Sequence, residues 1–243
     1  MKWVRKIHKW VSVVVGIQFL LWLLSGIYFN LMDHTKASGR TYFSQNVQIT
    51  NIDKNRLLEP KDVLTKFKPS ISIAPIYLLA EPYYLLTHKK GLYQHFENDY
   101  SLVDAYSGVL IEIDEPFATK LAKQSYNGPS EVRSITLLQP PLEDIPKQKN
   151  TTWQVNFVND INTSVYIEAG SGRLVGHSDD NKRFADIFFM LHFMDYGNEG
   201  SFNSIQIILF AFITLWLSLT GMIWTIELGF RGQYQIKRFQ RKR

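Results

Sequence analysis

Two long stretches without a charged residue lie near the two ends of the chain, and the segment between them is mixed in polarity. The first stretch covers residues 10–32 and the second covers residues 202–226. At about 1.5 Å rise per residue, each is long enough as a helix to cross a hydrocarbon core of about 30 Å. A helix satisfies its own backbone hydrogen bonds in lipid, whereas the mixed segment between the stretches cannot. We therefore predict two transmembrane helices that flank a folded domain.

The distribution of charge predicts which side of the membrane each part faces. The segment 33–203 carries 17 Lys and Arg against 21 Asp and Glu, a net charge of −4. Basic residues outside it concentrate at the termini: Lys2, Arg5, Lys6, Lys9, Arg231, Lys237, Arg238, Arg241, Lys242 and Arg243. By the positive-inside rule, residues 1–9 and 227–243 are cytoplasmic and the domain between the spans lies outside. The domain shows no basic patch, so we expect no nucleic-acid partner.

The first span has the basic start of a secretory signal peptide. Its apolar part is too long for one, however, and Leu31-Met32-Asp33-His34 is not a small-x-small cleavage site. We therefore expect an uncleaved signal anchor.

The middle of the chain predicts two similar units, 33–112 with its leading linker and 113–182. Each opens a helix with Glu-Pro, at Glu59-Pro60 and Glu115-Pro116. Each closes with a Ser-Gly turn, where Gly108 and Gly172 supply the positive φ of a hairpin. Strand-like runs lie between these signals, at residues 76–79, 83–88, 93–97, 101–104, 134–138, 152–157 and 164–168. A helix followed by an antiparallel meander, twice, predicts an α+β membrane protein.

Two further segments receive specific predictions. Residues 42–49 alternate in polarity and predict a strand. Residues 183–201 are dense in apolar side chains until glycines interrupt them. They predict either an amphipathic helix on the outer membrane surface or the start of a helical hairpin with the second span.

Polar and small residues inside the spans mark expected helix contacts. Gln18 and Asn30 are polar groups in lipid, and we predict that both face another helix. A tryptophan, a hydroxyl and a glycine recur in both spans, as Trp22, Ser25-Gly26 and Trp216, Thr220-Gly221. Small residues are common at helix contacts, and we interpret the glycines in this way.

Conventional catalytic signatures are missing from the sequence. The chain has no cysteine, which excludes disulfides, iron–sulfur clusters, thiolate zinc sites and cysteine nucleophiles. It also has no HExxH, GxSxG, P-loop or GxGxxG motif. The acidic pairs Glu143-Asp144 and Asp179-Asp180 fall in predicted loops, and we expect them to be solvated. His88, His95 and His177 are expected to be surface or strand residues.

His8 lies at the cytoplasmic edge of the first span and allows two interpretations. It is either part of an interfacial helix start, with Trp3 and Trp10 as aromatic belt residues, or a metal or haem ligand.

Several short motifs, taken in order, resemble the PepSY-associated transmembrane family: His8-Lys9-Trp10, Ser25-Gly26, the turns at 104–108 and 168–172, Leu191-His192-Phe193 and Leu219-Thr220-Gly221. The resemblance covers nearly the whole chain. It implies a bacterial inner-membrane protein with a periplasmic domain, in which each unit is a helix packed on a small antiparallel sheet. Larger members include ferric-siderophore reductases, whose membrane histidines hold b-type haem and pass electrons outward. His8 matches the family's first-helix His-x-Trp, and His192 matches its Leu-His before a later helix.

This chain has only two predicted membrane helices, fewer than the larger members, and that limits how it could hold haem b. Axial histidines lie about 2 Å from a metal, whereas His8 and His192 are predicted on opposite faces of a core about 30 Å thick. One haem cannot use both within one chain. Three arrangements remain open. A homodimer could pair each histidine with its mate, His192 could pair with His34 just beyond the first span, or another membrane subunit could supply the missing ligands.

Two functions follow from these considerations. The first is an electron-transfer component, in enzymatic terms part of a haem-dependent membrane reductase, that passes electrons to a periplasmic acceptor such as a ferric chelate. The second is a non-catalytic accessory module, which binds a periplasmic protein or peptide at an exposed sheet edge within a larger membrane complex. We predict a non-catalytic or partner-dependent membrane protein whose most concrete chemistry is haem-linked reduction.

Overall fold

The computed structural model describes residues 2–45, 52–200 and 204–232, and the chain divides into two units. The helical unit contains the first helix up to Asn30, the segment Phe189–Tyr196 and the last helix. The central unit contains the remainder, from Leu31 to Phe188 and a short piece after Tyr196. Each unit is described separately below.

Two long helices, α1 (Lys2–Leu31) and α6 (Ile205–Phe230), form most of the helical unit. Both are long and apolar enough to cross a bilayer, as predicted. Most of their large apolar side chains are exposed, including Leu23 at 64% and Phe212 at 68%. Extended apolar surface of this kind is stable against lipid and not against water. The chain is therefore a membrane protein, and its described residues contain two spans.

Contacts within the helical unit are few and specific. Val15, Phe210 and Leu217 form its small buried cluster. Gln18 is also buried and donates from its amide to the carbonyl oxygen of Leu191 at 3.0 Å, so it faces another helix as predicted. Asn30 is exposed, so a helix against it would come from another chain, and for this residue the contact stays a prediction. Its amide is satisfied by the Gly26 carbonyl oxygen of its own helix, 2.8 Å away.

A third helix, α5 (Asp180–Phe193), covers most of the segment predicted to be amphipathic. Its first residues belong to the central unit and its last residues to the helical unit. The helix ends at Phe193, and Met194 takes a positive φ of 51°. Whether this segment lies on the membrane surface or enters the membrane stays a prediction.

The central unit begins with α2 (His34–Ala37) and then contains the two predicted modules. The first is α3 (Pro60–Lys66) followed by strands β1 (Ser72–Leu78), β2 (Glu81–Lys89), β3 (Asp99–Asp104) and β4 (Leu110–Ile111). The second is α4 (Glu115–Gln124) followed by β5 (Val132–Leu138), β6 (Thr152–Phe157), β7 (Ser164–Glu168) and β8 (Leu174–Ser178). Each set of strands is an antiparallel four-stranded meander in chain order. The predicted repeat of a helix and a meander is confirmed.

The two modules share a core. In the second module Ala118 and Ala122 of α4 pack on Val155 and Val165 of the sheet, all of them fully buried. Tyr83 and Leu102 of the first sheet belong to the same apolar cluster. The first module adds a smaller cluster, in which Val63 of α3 covers its own sheet: Tyr84, Leu86, Val103 and Ala105.

The two predicted hairpin turns have nearly identical backbones. Gly108 and Gly172 both take φ of +70°, and each donates its N–H to the carbonyl four residues earlier, at 2.9 Å. The Asp104 carboxylate also accepts hydrogen bonds from the backbone N–H groups of Tyr106 and Ser107. Glycine is favoured at this φ because it has no Cβ.

Two of the predicted strands are not formed as predicted. Residues 93–97 form a loop, since the Asn98 side chain donates to the carbonyl oxygens of Gln94 and Phe96 and closes the segment on itself. Within 42–49, the described part holds one isolated bridge, between Phe43 and Tyr126. Residues 46–49 lie outside the described residues.

The acidic pairs expected to be solvated are partly buried instead. Asp179 is fully buried, and its carboxylate accepts a hydrogen bond from the backbone N–H of Lys182 at the start of α5. Asp144 is mostly buried and pairs with Arg183 at 2.9 Å. Burial opposes ionisation of Asp144, but hydrogen bonds from Arg183 and Tyr166 keep the pKa of this carboxyl below its usual value. The partner of Asp144 is distant in sequence, so the pattern of acids alone could not indicate burial.

Candidate functional site

His8 is held between α1 and α6. Its Nδ1 lies 2.9 Å from the Thr220 hydroxyl oxygen. Two indole rings flank the imidazole, Trp216 at 6.2 Å and Trp224 edge-on at 5.9 Å between centroids. An added Cβ on Gly221 would lie 3.4 Å from His8 Cε1, so this glycine lies against the ring. The histidine is half-buried in the helical unit.

His192 is held in the same manner between α5 and α1. Its Nδ1 lies 2.9 Å from the Ser25 hydroxyl oxygen. The rings of Trp22 and Phe29 lie 6.3 Å and 5.2 Å from the imidazole. His192 therefore also has a hydroxyl on Nδ1 and an indole ring beside it.

These contacts give the repeated motif of the two spans a role that the sequence did not indicate. Ser25 and Thr220 are the hydroxyls of the Trp–hydroxyl–Gly pattern, in which we interpreted the glycines as marking helix contacts. Each hydroxyl contacts a histidine from a different helix. The recurrence of the pattern in both spans was a signal for these sites in the sequence. It did not indicate that the hydroxyls contact histidines.

The two histidines lie far apart within the helical unit. His8 is a residue of α1, and His192 contacts α1 at Ser25, 17 residues after residue 8. At the rise of an α-helix this separation is about 26 Å. A single haem cannot reach both imidazoles of one chain.

His34, the third predicted ligand, belongs to the central unit. It is the exposed first residue of α2, whose start is capped by the Asp33 carboxylate. The pairing of His34 with His192 stays a prediction. Within the described residues, no group of three or more His, Asp and Glu could hold a metal ion. Each histidine site therefore offers one imidazole.

Two features of both sites, and a third on the His8 side, fit a histidine that would hold haem. Among the described residues, neither His8 Nε2 nor His192 Nε2 has a hydrogen-bond partner. The buried indole N–H groups of Trp22 and Trp224 also lack an acceptor in that part of the chain. Such donors are costly unless a ligand or another chain supplies the acceptor. An apolar groove of about 370 Å³ is lined by Ile7, Val11, Phe212, Ile213 and Trp216, the last of which flanks His8.

The central unit contains a separate cleft of about 380 Å³ at the end of β5. Its polar residues bond to one another. Gln154 donates to the Tyr166 hydroxyl, which donates to Asp144, the partner of Arg183. Burial, together with the Asp144 charge, raises the pKa of Tyr166. The hydroxyl therefore stays protonated and continues to donate.

A protein-family comparison identifies the family to which the chain belongs. The model of the PepSY-associated TM region matches residues 1–227, which is nearly the whole length. The chain belongs to this family of membrane proteins. Comparison with curated proteins and with solved structures gives no significant match.

Proposed function

We propose that this protein is an electron-transfer component of the bacterial inner membrane, in which His8 and His192 would each hold a b-type haem. The observation that carries the proposal is the matched geometry of the two histidines. Each has Nδ1 on a helix hydroxyl and Nε2 without a partner among the described residues. A haem bound at these nitrogens supplies one-electron chemistry, because its iron alternates between two oxidation states.

The proposed orientation follows from charge. Basic residues concentrate at the two termini, and the segment between the spans has a net charge of −4. By the positive-inside rule the termini are cytoplasmic and the central unit is periplasmic. His8 is then near the cytoplasmic face, and His192 near the periplasmic face. Haem held at both sites would supply one-electron chemistry near each face of the membrane.

A second ligand for a haem at either site would come from outside the helical unit of one chain. A homodimer would supply it by pairing His8 with its mate and His192 with its mate. Another membrane subunit is the alternative, and for His192 so is the pairing with His34. The unpartnered indole N–H groups at both sites support completion by a further group.

The acceptor of the electrons is a periplasmic species such as a ferric chelate. The chain would then be a component of a haem-dependent reductase.

The test is an absorption spectrum of the full-length protein, purified in detergent from haem-supplied cells, before and after dithionite. We expect a Soret band that shifts on reduction. The double variant His8→Ala with His192→Ala should lose this band. A matched control, His88→Ala with His95→Ala, should keep it, because both control residues lie in the central unit. A folded wild-type protein without a Soret band would contradict the proposal, and so would a double variant that keeps full colour.

A second candidate function is periplasmic binding by the central unit. Within the described residues, β5 pairs only with β6, so its outer edge is available to an added strand. Leu137 on this strand is 45% exposed. A photo-crosslinking residue at position 137 should give a discrete adduct in cells, whereas one at Leu64 on α3 should not. Adducts at both positions, or at neither, would contradict edge binding.

A further inference from the structure

Ser25 and Thr220 have the same hydrogen-bond geometry, although they lie on different helices. The Ser25 hydroxyl oxygen is 2.7 Å from the carbonyl oxygen of Leu21, one turn earlier in α1. The Thr220 hydroxyl oxygen is 2.8 Å from the carbonyl oxygen of Trp216, one turn earlier in α6. Each of these hydroxyls also lies 2.9 Å from the Nδ1 of a histidine.

The direction of the hydrogen bond between each hydroxyl and its histidine follows from the single proton of the hydroxyl. A carbonyl oxygen can only accept, so at 2.7–2.8 Å the hydroxyl proton must lie on the carbonyl side. A hydroxyl has one proton, and its oxygen is then an acceptor towards the imidazole. Nδ1 must therefore carry a proton at His8 and at His192. The opposite assignment would place two acceptors within 2.8 Å of each other with no proton between them.

A neutral imidazole that is protonated at Nδ1 has its lone pair on Nε2, the form that binds a metal through that nitrogen. A histidine bound to a metal characteristically donates its other N–H to a nearby oxygen, which fixes the ring orientation and the tautomer. We propose that Ser25 and Thr220 are positioning residues, which lock His192 and His8 as the Nδ1–H tautomer and thereby present each Nε2 to haem iron. This inference rests on the proposed function for the identity of the ligand.

The two hydrogen bonds that set the tautomers depend on packing between helices. Helix α1 contributes the histidine at one end of the helical unit and the accepting hydroxyl at the other, and its partners come from α6 and α5. An unpacked chain would lose both hydrogen bonds together. The tautomers are therefore set by the assembled helical unit and not by the residues next to each histidine in sequence.

The chain contains a matched control for the hydroxyls. Ser218 lies on α6 two residues before Thr220 and makes the same type of bond, donating to the Thr214 carbonyl oxygen at 2.9 Å. It is exposed, and the structure gives it no contact with a histidine in the described part of the chain. Replacing Ser218 should leave both imidazoles unchanged.

The first test uses haem-free, full-length protein with ¹⁵N-labelled histidine rings, in detergent. Nitrogen NMR distinguishes a protonated ring nitrogen from a bare one, and His→Gln variants assign the six histidines. We expect His8 and His192 to be protonated at Nδ1. Thr220→Val should abolish this preference at His8 alone, and Ser25→Ala should abolish it at His192 alone. Thr220→Ser should restore it. A wild-type protein with Nε2–H at either histidine would overturn the inference.

The second test measures haem affinity of the same variants. Substituting a residue that hydrogen-bonds to a metal ligand typically costs 10–100-fold in metal affinity. We expect Thr220→Val and Ser25→Ala each to lower the affinity of one site by about 10-fold or more, while Thr220→Ser and Ser218→Ala retain it. Unchanged affinity in the first pair would overturn the positioning role. If no haem binds to the wild-type protein, the proposed function fails, whereas the NMR result still decides the tautomers.

Discussion

The Tyr196 hydroxyl donates a hydrogen bond to the amide oxygen of Gln18 at 3.1 Å, although the two residues are 178 positions apart in the chain. The amide nitrogen of Gln18 donates to the Leu191 carbonyl oxygen. One buried side chain of α1 thus satisfies two polar groups of the segment that carries His192. This contact holds the end of α5 against the first membrane helix.

Gln18→Leu should lower the free energy of unfolding by about 1 kcal/mol, because hydrogen bonds between membrane helices contribute about 0.6 kcal/mol on average and up to about 1.7. Equilibrium unfolding in mixed detergent micelles measures the change. Asn30→Leu is the control, since Asn30 is exposed and bonds only to its own helix in the described structure. Equal effects of the two substitutions would contradict the assigned role of Gln18.

Gly172→Ala should destabilise the central unit by at least about 1–2 kcal/mol, the usual cost of a left-handed backbone for a residue with a Cβ. The new Cβ would also lie 2.7 Å from Leu78 Cδ1, on the other module. Thermal unfolding followed by circular dichroism measures the loss. At Gly176 the nearest atom to an added Cβ is Ile145 Cδ1 at 3.7 Å, so Gly176→Ala should be tolerated.

Glu168→Ala should be among the most damaging substitutions in the central unit. This carboxylate is 1% exposed, pairs with Arg173 at 3.0 Å and accepts hydrogen bonds from Gln148, Asn150 and Ser171. Removing one member of a buried ion pair typically costs about 3–5 kcal/mol. The comparison is Asp99→Asn, which breaks the exposed pair with Lys68 and should cost less than about 1 kcal/mol. If both substitutions lower the free energy of unfolding by similar amounts in chemical denaturation, the Glu168 network is not required for stability.

Acidification should destabilise the protein through His177. Burial, with a smaller effect from the charge of Arg40, lowers the pKa of this histidine from 6.5 to about 4. Between these two values the unfolded chain takes up a proton that the folded chain does not, so the stability falls as pH falls from 6.5 to 4. At 1.36 kcal/mol per pKa unit the full loss is about 3 kcal/mol.

Unfolding measured at several pH values in this window tests the assignment. His177→Gln should remove most of the slope, whereas His88→Gln should not. A slope that is unchanged in His177→Gln would assign the effect to other groups.

Patterns local in sequence predicted much of this fold. The charge-free stretches gave both membrane helices, since spanning depends on length and polarity alone. The Glu-Pro starts and the Ser-Gly turns gave the two modules, because Pro and Gly fix backbone conformation where they stand. Contacts between residues distant in sequence could not be predicted from local patterns. The burial of Asp144 depends on Arg183, 39 positions away, and the loop at 93–97 depends on the Asn98 side chain.

The histidine sites were also predictable only in part. His8 and His192 were identified as candidates by resemblance, and the spacing of the two spans separated them correctly onto different ends of the helical unit. The hydroxyls that contact them were visible only as a recurring motif. Pairing Ser25 with His192 requires the packing of α5 on α1, which no periodicity in either helix specifies.

Two separate histidine sites are tested by the haem content per chain of the single variants His8→Ala and His192→Ala, measured by pyridine haemochrome assay of folded protein. Because the histidines lie about 26 Å apart along α1, each should support its own haem. Each single variant should then retain half of the wild-type haem, and the double variant none. Loss of all haem in one single variant, with none lost in the other, would contradict two separate histidine sites.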